Sequence, residues 1–457
     1  MKKVLALLLV AVLGFALASC VEGEPQEGSK VQGITETEII VGNTAATTGV
    51  FAGVGVPFNL AMQVVFDEYN ATREEGERKI KLIHYDDEFD GSKGLTYTKK
   101  LVEEDKVFAL VGHFGTNTVE ATIDYLLEKE VPMVYGVTGV NSLYFEPADG
   151  GKNILSVQPI YRSEGEVLLA RVLHEKLFGE NGDAKLAADK KIVVLYSDDD
   201  AGQSIKVGVE DGAKAEEVTA RVVYLPFNVT TADAVVTTAL AQDPGAIILA
   251  SNQAPATAAA TALREKDSNV PVFSSYVNSQ AVFAPAQVEG APLPYQVYAN
   301  AWVDIVDPLA PAPTVEQVGG DGTLVGFNFD LAFLPGFTAE YWEFVKLMND
   351  STRVDGDTPA KALWADPYAM AGYVAAKSFV MILEKVEDFD TLTWDSFITL
   401  AESQPWELPL AGTIDWKDGY RVGLNALALN VLTYPEGQAI KFEKVREIEL
   451  LEEVRAK

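Results

Sequence analysis

One cysteine and three histidines in 457 residues leave little material for several kinds of chemistry. A lone Cys20 closes no internal disulfide and excludes a cysteine-rich metal site. His84, His113 and His174 are too scattered to form a helical metal motif such as HExxH. Basic residues are also few: 36 Lys and Arg stand against 67 Asp and Glu, a net charge of −31. Such a chain lacks the basic face that phosphate contacts require, so nucleic acid is not an expected partner. Docking on anionic lipid through a polybasic patch is excluded on the same ground. GxxxxGK[ST], GxSxG and a complete GxGxxG are all missing, which leaves phosphate cradles and hydrolase elbows without support. No long apolar run occurs after residue 20, so no membrane-spanning helix is expected.

What is present is an ordinary globular composition, 48% hydrophobic and 23% charged, at a length that fits two or three domains. The chain opens Met1-Lys2-Lys3 and then runs apolar from Val4 to Ala18, the form of a secretory signal. Cys20 sits where that signal ends. The tetrapeptide Leu17-Ala18-Ser19-Cys20 resembles the bacterial lipoprotein lipobox, which is cut before a cysteine that carries diacylglycerol. Removal of residues 1–19 would take away Lys2 and Lys3 and no acid, leaving a net charge of −33. Acyl chains on Cys20, not protein charge, would then hold the chain at a membrane. A polar tether follows, rich in Glu, Gly and Pro.

Beyond the tether, β-branched runs alternate with runs of helical spacing. Strands are expected at 39–42, 80–85, 107–111 and 132–135, with helices at 59–69, 95–104 and 119–129 between them. A second series follows. Ser163 to Glu166 has capping-box spacing before a helix at 167–177, and further strands are expected at 192–196, 221–225, 246–249 and 270–274. Alternation of this kind implies α/β architecture with parallel sheets covered on both faces, here in two successive units. The Pro- and Gly-rich stretch 304–337 reads as a surface insertion, and the chain past residue 424 as β-rich.

Open parallel sheets bind ligands at the carboxyl ends of their strands. Three such loops, 43–51, 112–118 and 136–139, are full of Gly, Thr and Asn. In the second, Asn117-Thr118-Val119-Glu120 has capping-box form, so a helix is expected to begin there and to offer free N–H groups to an anion. Asp86 to Gly91 faintly resembles a calcium loop, but its distal ligand position falls on Tyr97, and a solvated turn is expected.

The run 33–42, the helix ending Phe66-Asp67-Glu68-Tyr69-Asn70, Tyr85-Asp86-Asp87, Lys99-Lys100-Leu101-Val102, the stretch from Phe108 to Thr116, and Gly412-Thr413-Ile414-Asp415-Trp416 recur in one order. In that order and spacing the chain resembles type I periplasmic solute-binding proteins, most closely the branched-chain amino-acid (Leu/Ile/Val) receptors of ABC importers, in lipoprotein form. The resemblance implies two Rossmann-like lobes with parallel central sheets, joined by three crossovers. Residues 34–157 and 278–421 would form the N-terminal lobe and residues 158–277 and 422–457 the C-terminal lobe, after a signal at 1–19 and a tether at 20–33. It implies a monomer exported and lipid-anchored at the cell membrane, with a small polar solute and permease subunits as partners and neither cofactor, metal nor enzymatic activity.

The same resemblance places Thr116 and Gly115 at the ligand's α-carboxylate, and Thr138 and Gly139 at the same head group. Ala201 and Asn252 fall where many relatives carry aromatic residues, and Tyr276 near the acid that pairs a ligand ammonium. Asp199 or Asp200 would have to supply that acid instead; otherwise the ligand is an amide, a urea-like compound or a carboxylate. Phe51 and His113 are placed at the mouth. A ligand sensor and an enzyme on the same fold are the alternative readings.

Overall fold

A computed structural model describes residues 31–179, 182–278, 280–303, 339–434 and 440–457. The signal segment, Cys20, most of the tether and the 304–337 insertion lie outside these residues. Two sheets organise the chain. The first carries β1 (Glu38–Ala45), β2 (Lys79–Asp86), β3 (Ala109–Phe114), β4 (Met133–Val137) and β5 (Ile154–Leu155) in the order β2-β1-β3-β4-β5, all parallel. The second carries β6 (Lys191–Ser197), β7 (Val222–Phe227), β8 (Pro244–Ala250), β9 (Val272–Ser274) and β10 (Val297–Ala301) in the order β7-β6-β8-β9-β10, again parallel. β15 (Ala426–Thr433) joins antiparallel to β10, and β16 (Lys441–Leu450) antiparallel to β15. The expected α/β architecture with two parallel-sheet lobes is present.

Both faces of each sheet are covered, which is why the central strands read as near-continuous apolar runs. On the first sheet, α1 (Ala52–Ala71) and, later in the chain, a long helix at Pro367–Leu383 bury Phe58, Met62, Val374 and Phe379 against Val41, Val111 and Val134. On its other face, α2 (Gly91–Glu103) and α3 (Thr116–Lys129) bury Leu101, Val119 and Ile123 against Leu110 and Met133. The second sheet is covered by α4 (Tyr161–His174) and α5 (Asp200–Ala215) on one face, and by α6 (Ala232–Leu240) and α7 (Gln253–Glu265) on the other. α8 (Ala339–Asp350), α9 (the helix Pro367–Leu383), α10 (Trp394–Ala401) and the hairpins β11 (Val354–Asp355)–β12 (Thr358–Pro359) and β13 (Trp406–Leu408)–β14 (Gly412–Ile414) return to the first core; α11 (Leu451–Arg455) closes the described chain.

Three expectations differ in place. The return to the first lobe comes later than residue 278, because β10 still pairs with β9 and β15 in the second sheet. α4 begins at Tyr161, ahead of the Ser163 to Glu166 pattern, with Ile160 as its N-cap. α1 begins at Ala52, not near residue 59, and runs through Gly53, Gly55 and Pro57, residues that read as loop.

Gly55, and Gly372 on α9, have a packing reason. A Cβ on Gly55 would lie 2.1 Å from the Ala46 carbonyl oxygen, and one on Gly372 of α9 would lie 2.0 Å from the Phe58 carbonyl oxygen. The two helices therefore meet backbone to backbone. Gly372→Ala is expected to destabilise the fold by about 1–3 kcal/mol, since no rotamer relieves a clash with a carbonyl. Gly53→Ala, whose Cβ would meet nothing within 4 Å, should stabilise by about 0.5–1 kcal/mol. Urea unfolding of the two variants checks both signs.

Candidate functional site

Where strand order reverses, neighbouring connections leave on opposite faces and open a crevice at the carboxyl edge. The reversals fall between β1 and β3 in the first sheet and between β6 and β8 in the second. Between the two carboxyl edges lies a cavity of about 320 Å³. Phe51 and Val54 reach it from the chain after β1, Phe89 from the loop after β2, and Gly115 and Thr116 from the loop after β3. The second lobe contributes Asn252 and Gln253 after β8, Tyr276 to Asn278 after β9, and Ala299 to Val303 at the end of β10.

The first-lobe wall is set by a buried carboxylate. Asp87 is fully buried and accepts 2.7 Å hydrogen bonds from the hydroxyls of Thr44 and Thr118, and a 2.9 Å bond from the Phe89 N–H. Burial raises its pKa and these bonds oppose the rise. The solvated turn expected at 86–91 is thus a built loop. It turns through positive φ at Glu88 and Phe89, 53° and 63°, and lays the Phe89 ring on Phe51 with centroids 4.0 Å apart. Gly115 lies under that ring. A Cβ there would come 2.7 Å from Phe89, and its φ of 101° favours glycine as well.

Gly115 is also the N-cap of α3, with no side-chain cap. Asn117 and Thr118 therefore lie inside the helix, not in the expected capping box. The first bond of this helix end joins the Val119 N–H to the Gly115 carbonyl, which leaves the N–H groups of Thr116, Asn117 and Thr118 ahead of the first helical turn's acceptors. The Thr116 hydroxyl is 2.9 Å from that of Thr138, and Tyr161 of the second lobe lines the cavity with Thr116.

The second-lobe wall rests on Glu164. This fully buried side chain accepts 2.7 Å bonds from the Ser275 hydroxyl and the Tyr276 N–H, and a longer one from the Asn300 amide. Desolvation lifts its pKa to about 7. Between the walls, the Tyr135 hydroxyl donates to Gln158, whose amide donates to the Tyr276 hydroxyl, which in turn donates to the Pro159 carbonyl. Tyr135 itself is held at φ 61°, a costly conformation for an aromatic residue, with its ring edge-on to Trp302 at 6.0 Å.

Of the residues singled out in the sequence, Phe51, Gly115, Thr116, Asn252 and Tyr276 line this cavity. Thr138 stands behind Thr116. Gly139 leaves room for Tyr276, Pro159 and Tyr161, each of which would lie within 2.6 Å of a Cβ there. Asp200 is brought elsewhere, to a small notch with Glu120, Asn141, Ser142 and Gln203 between α3 and α5. Ala201 is buried in the core of the second lobe. Asp199 caps α5 through the Gly202 N–H. His113 is not at the mouth: it is fully buried among Thr44, Thr98 and Thr122, and burial lowers its pKa to about 3. Sequence reasoning missed Phe89, Tyr135, Tyr161, Asn278, Asn300 and Trp302. The alternating run Val297-Tyr298-Ala299-Asn300-Ala301 was a strand signal that would have led to two of them. No described lining residue is Asp or Glu, and Lys441 is the one charged residue among those described. Among the described residues no cluster of His, Cys, Asp and Glu could hold a metal ion, and no helix is long and apolar enough to cross a membrane.

Glu164 makes stability depend on pH. Its pKa in the folded chain lies above the ordinary carboxylate value, so its contribution is full below about pH 4.5 and is lost as pH rises through about 7. Glu164→Gln should remove this component: between pH 5 and pH 8 the parent should lose about 2–3 kcal/mol more than the variant. Chemical unfolding at the two pH values measures the difference.

The profile of the periplasmic binding protein family matches residues 38–424. No curated protein matches the chain. Among solved structures, a fatty acid ABC transporter substrate-binding protein from Thermomonospora curvata superposes with a TM-score of 0.67 at 18% identity, covering 94% of this chain and 97% of that one. A possible leucine/isoleucine/valine-binding protein from Rhodopirellula baltica gives 0.64 at 14%, covering 92% and 98%. An ABC transporter substrate-binding protein from Desulfitobacterium hafniense in complex with Leu gives 0.60 at 17%, covering 89% and 100%. At these identities the likeness is one of fold.

Proposed function

The chain belongs to the periplasmic binding protein family, and from that premise we propose that it is the solute receptor of an ABC importer, tethered by lipid at Cys20 on the outer side of a cell membrane. The observation that carries this reading is the cavity between two carboxyl edges, with each lobe supplying one wall. Two walls on separate lobes allow a solute to favour the closed arrangement through contacts it makes with both at once. A membrane permease would then receive the closed, monomeric form. Recognition of this kind requires no chemical step.

The related structures divide on ligand: one is described as a fatty acid transporter's protein and another holds leucine. A branched-chain amino acid, the first expectation, would bury an ammonium, and no described lining residue is an acid. A carboxylate solute without an ammonium fits the wall better. It would use the N–H groups at the start of α3 and the Thr116 hydroxyl.

Solute extracted from protein purified out of its native cells and measured by mass spectrometry tests this role. One equivalent of an unaltered small acid is expected; steady conversion of the solute would instead identify an enzyme. Thr116→Ala should weaken binding of that solute by about 1–3 kcal/mol if the hydroxyl bond is buried, which calorimetry reads. Cys20→Ala should move the protein from the membrane fraction to the soluble fraction, and retention at the membrane would remove the anchor from the account.

A further inference from the structure

The lining narrows the solute further, on the premise that the chain is a solute receptor. Its body must be apolar and flat enough to lie among rings: the Phe51–Phe89 pair, Phe114 and Trp302 pack with the first-lobe core, and Tyr276 comes from the second lobe. Stacked or edge-on ring contacts strengthen binding beyond the area they bury. The cavity, about 320 Å³, lies in the range that holds drug-sized ligands, which leaves room for a ring.

The polar groups are unequal at the two ends. At the first lobe, Thr116 lines the cavity at the open N-terminal turn of α3 and offers its N–H and hydroxyl as donors, which suits a carboxylate. Lys441, the charged residue in the described lining, is already paired with Glu443 at 2.9 Å and is not the better seat for that anion. At the second lobe the need is reversed. Asn278 and Asn300 both line the cavity and are at least nine-tenths buried, and each keeps a carboxamide oxygen without a hydrogen-bond partner. The orientation of Asn278 is fixed by its amide, which donates to the Ser251 carbonyl and the Ser274 hydroxyl at 3.0 Å. The Asn300 amide is turned toward Glu164. Two acceptors left unpaired in one wall call for a donor, and a buried polar group without a partner is costly. An ammonium would supply one, but no described lining residue is an acid, and Glu164 behind the wall is already bonded to the Ser275 hydroxyl, the Tyr276 N–H and the Asn300 amide. A neutral hydroxyl supplies it without a charge.

We propose that the solute is a hydroxyaryl carboxylate, with its carboxylate on the first turn of α3, its ring between the Phe51–Phe89 pair and Tyr276, and its hydroxyl donating its one proton to the Asn300 carboxamide oxygen. Calorimetry and tryptophan fluorescence, to which Trp302 contributes, test this on the full mature chain. The probes are 3-(4-hydroxyphenyl)propanoate, 3-phenylpropanoate, tyramine and leucine. The hydroxylated acid should bind about tenfold or more tighter than phenylpropanoate, and tyramine and leucine about a hundredfold weaker than it. Asn300→Leu should abolish the preference for the hydroxyl, so that the two acids bind that variant within about twofold of each other. The comparison of the two acids needs no variant, so it stands even where Asn300→Leu fails to fold. Equal binding of the two acids overturns the proposal. Tighter binding of leucine or tyramine overturns it and leaves the receptor role intact. Failure of all four to bind a folded protein also overturns it, while the solute recovered from native cells decides the receptor role separately.

Discussion

The Asp87 carboxylate is the constraint on which the first-lobe wall depends. Its bonds reach Thr44 at the end of β1, Phe89 just past β2 and Thr118 in the first turn of α3. Three chain segments far apart in sequence are thus fixed at one point below the cavity. Charge-assisted bonds of this kind are about twice as strong as neutral ones, which is how a buried carboxylate with no cation bonded to it remains tolerable. The consequence runs upward. With Thr118 held, α3 presents its open end to the cavity; with the Phe89 backbone held, its ring covers Gly115 and meets Phe51. Asp86, the neighbouring acid, faces the other way and binds the Thr47 N–H and the Thr48 hydroxyl, fixing the loop that leads to Phe51.

The second lobe repeats the strand order of the first but not its chemistry. Glu164 takes the supporting role there, below the loop that carries Tyr276 rather than below a helix start. The difference matters for charge. One wall ends in unpaired donors and the other in unpaired acceptors, so a solute that satisfies both must itself be polar at two ends and apolar between them. The acid excess of the chain, −31 overall, has no part in this, because no described lining residue is an acid.

Much of the fold was legible because parallel strands buried on both faces leave apolar runs such as Ile192 to Leu195 and Ala246 to Leu249, and helices leave spacing. Loops at strand ends were legible for the same reason, and they led to Thr116 and Phe51. Legibility failed where packing overrode local preference. Gly53, Gly55 and Pro57 read as loop because the close approach of Ala46 that requires Gly55 is a tertiary fact. Asp87 read as a solvated acid because Thr44 and Thr118, its partners, are 43 and 31 residues away. Asp200 was assigned by the need for an acid near the ligand, and no sequence distance reveals that α5 carries it into another notch.

The crossovers limit how the lobes can move in the receptor reading. The segments near 157 and 424 run side by side, joined by the Leu424 N–H to the Val157 carbonyl at 2.8 Å. Gly423 lies so close that a Cβ would come 2.1 Å from the Gln158 carbonyl, and its φ of 65° favours glycine. Trp416 bonds the Ser156 carbonyl, and the buried Arg421 bonds the Lys152 carbonyl. These contacts anchor the first-lobe side of two crossovers. In that reading, the described residues left to turn at these two connections are the few before Tyr161 and before β15. Gln158 lies within the first of these segments and bonds Tyr135 and Tyr276, one from each lobe. In the receptor reading, a solute against Tyr276 would touch the same hydrogen-bonded chain that joins the two lobes, and its occupancy would be coupled to the angle between them.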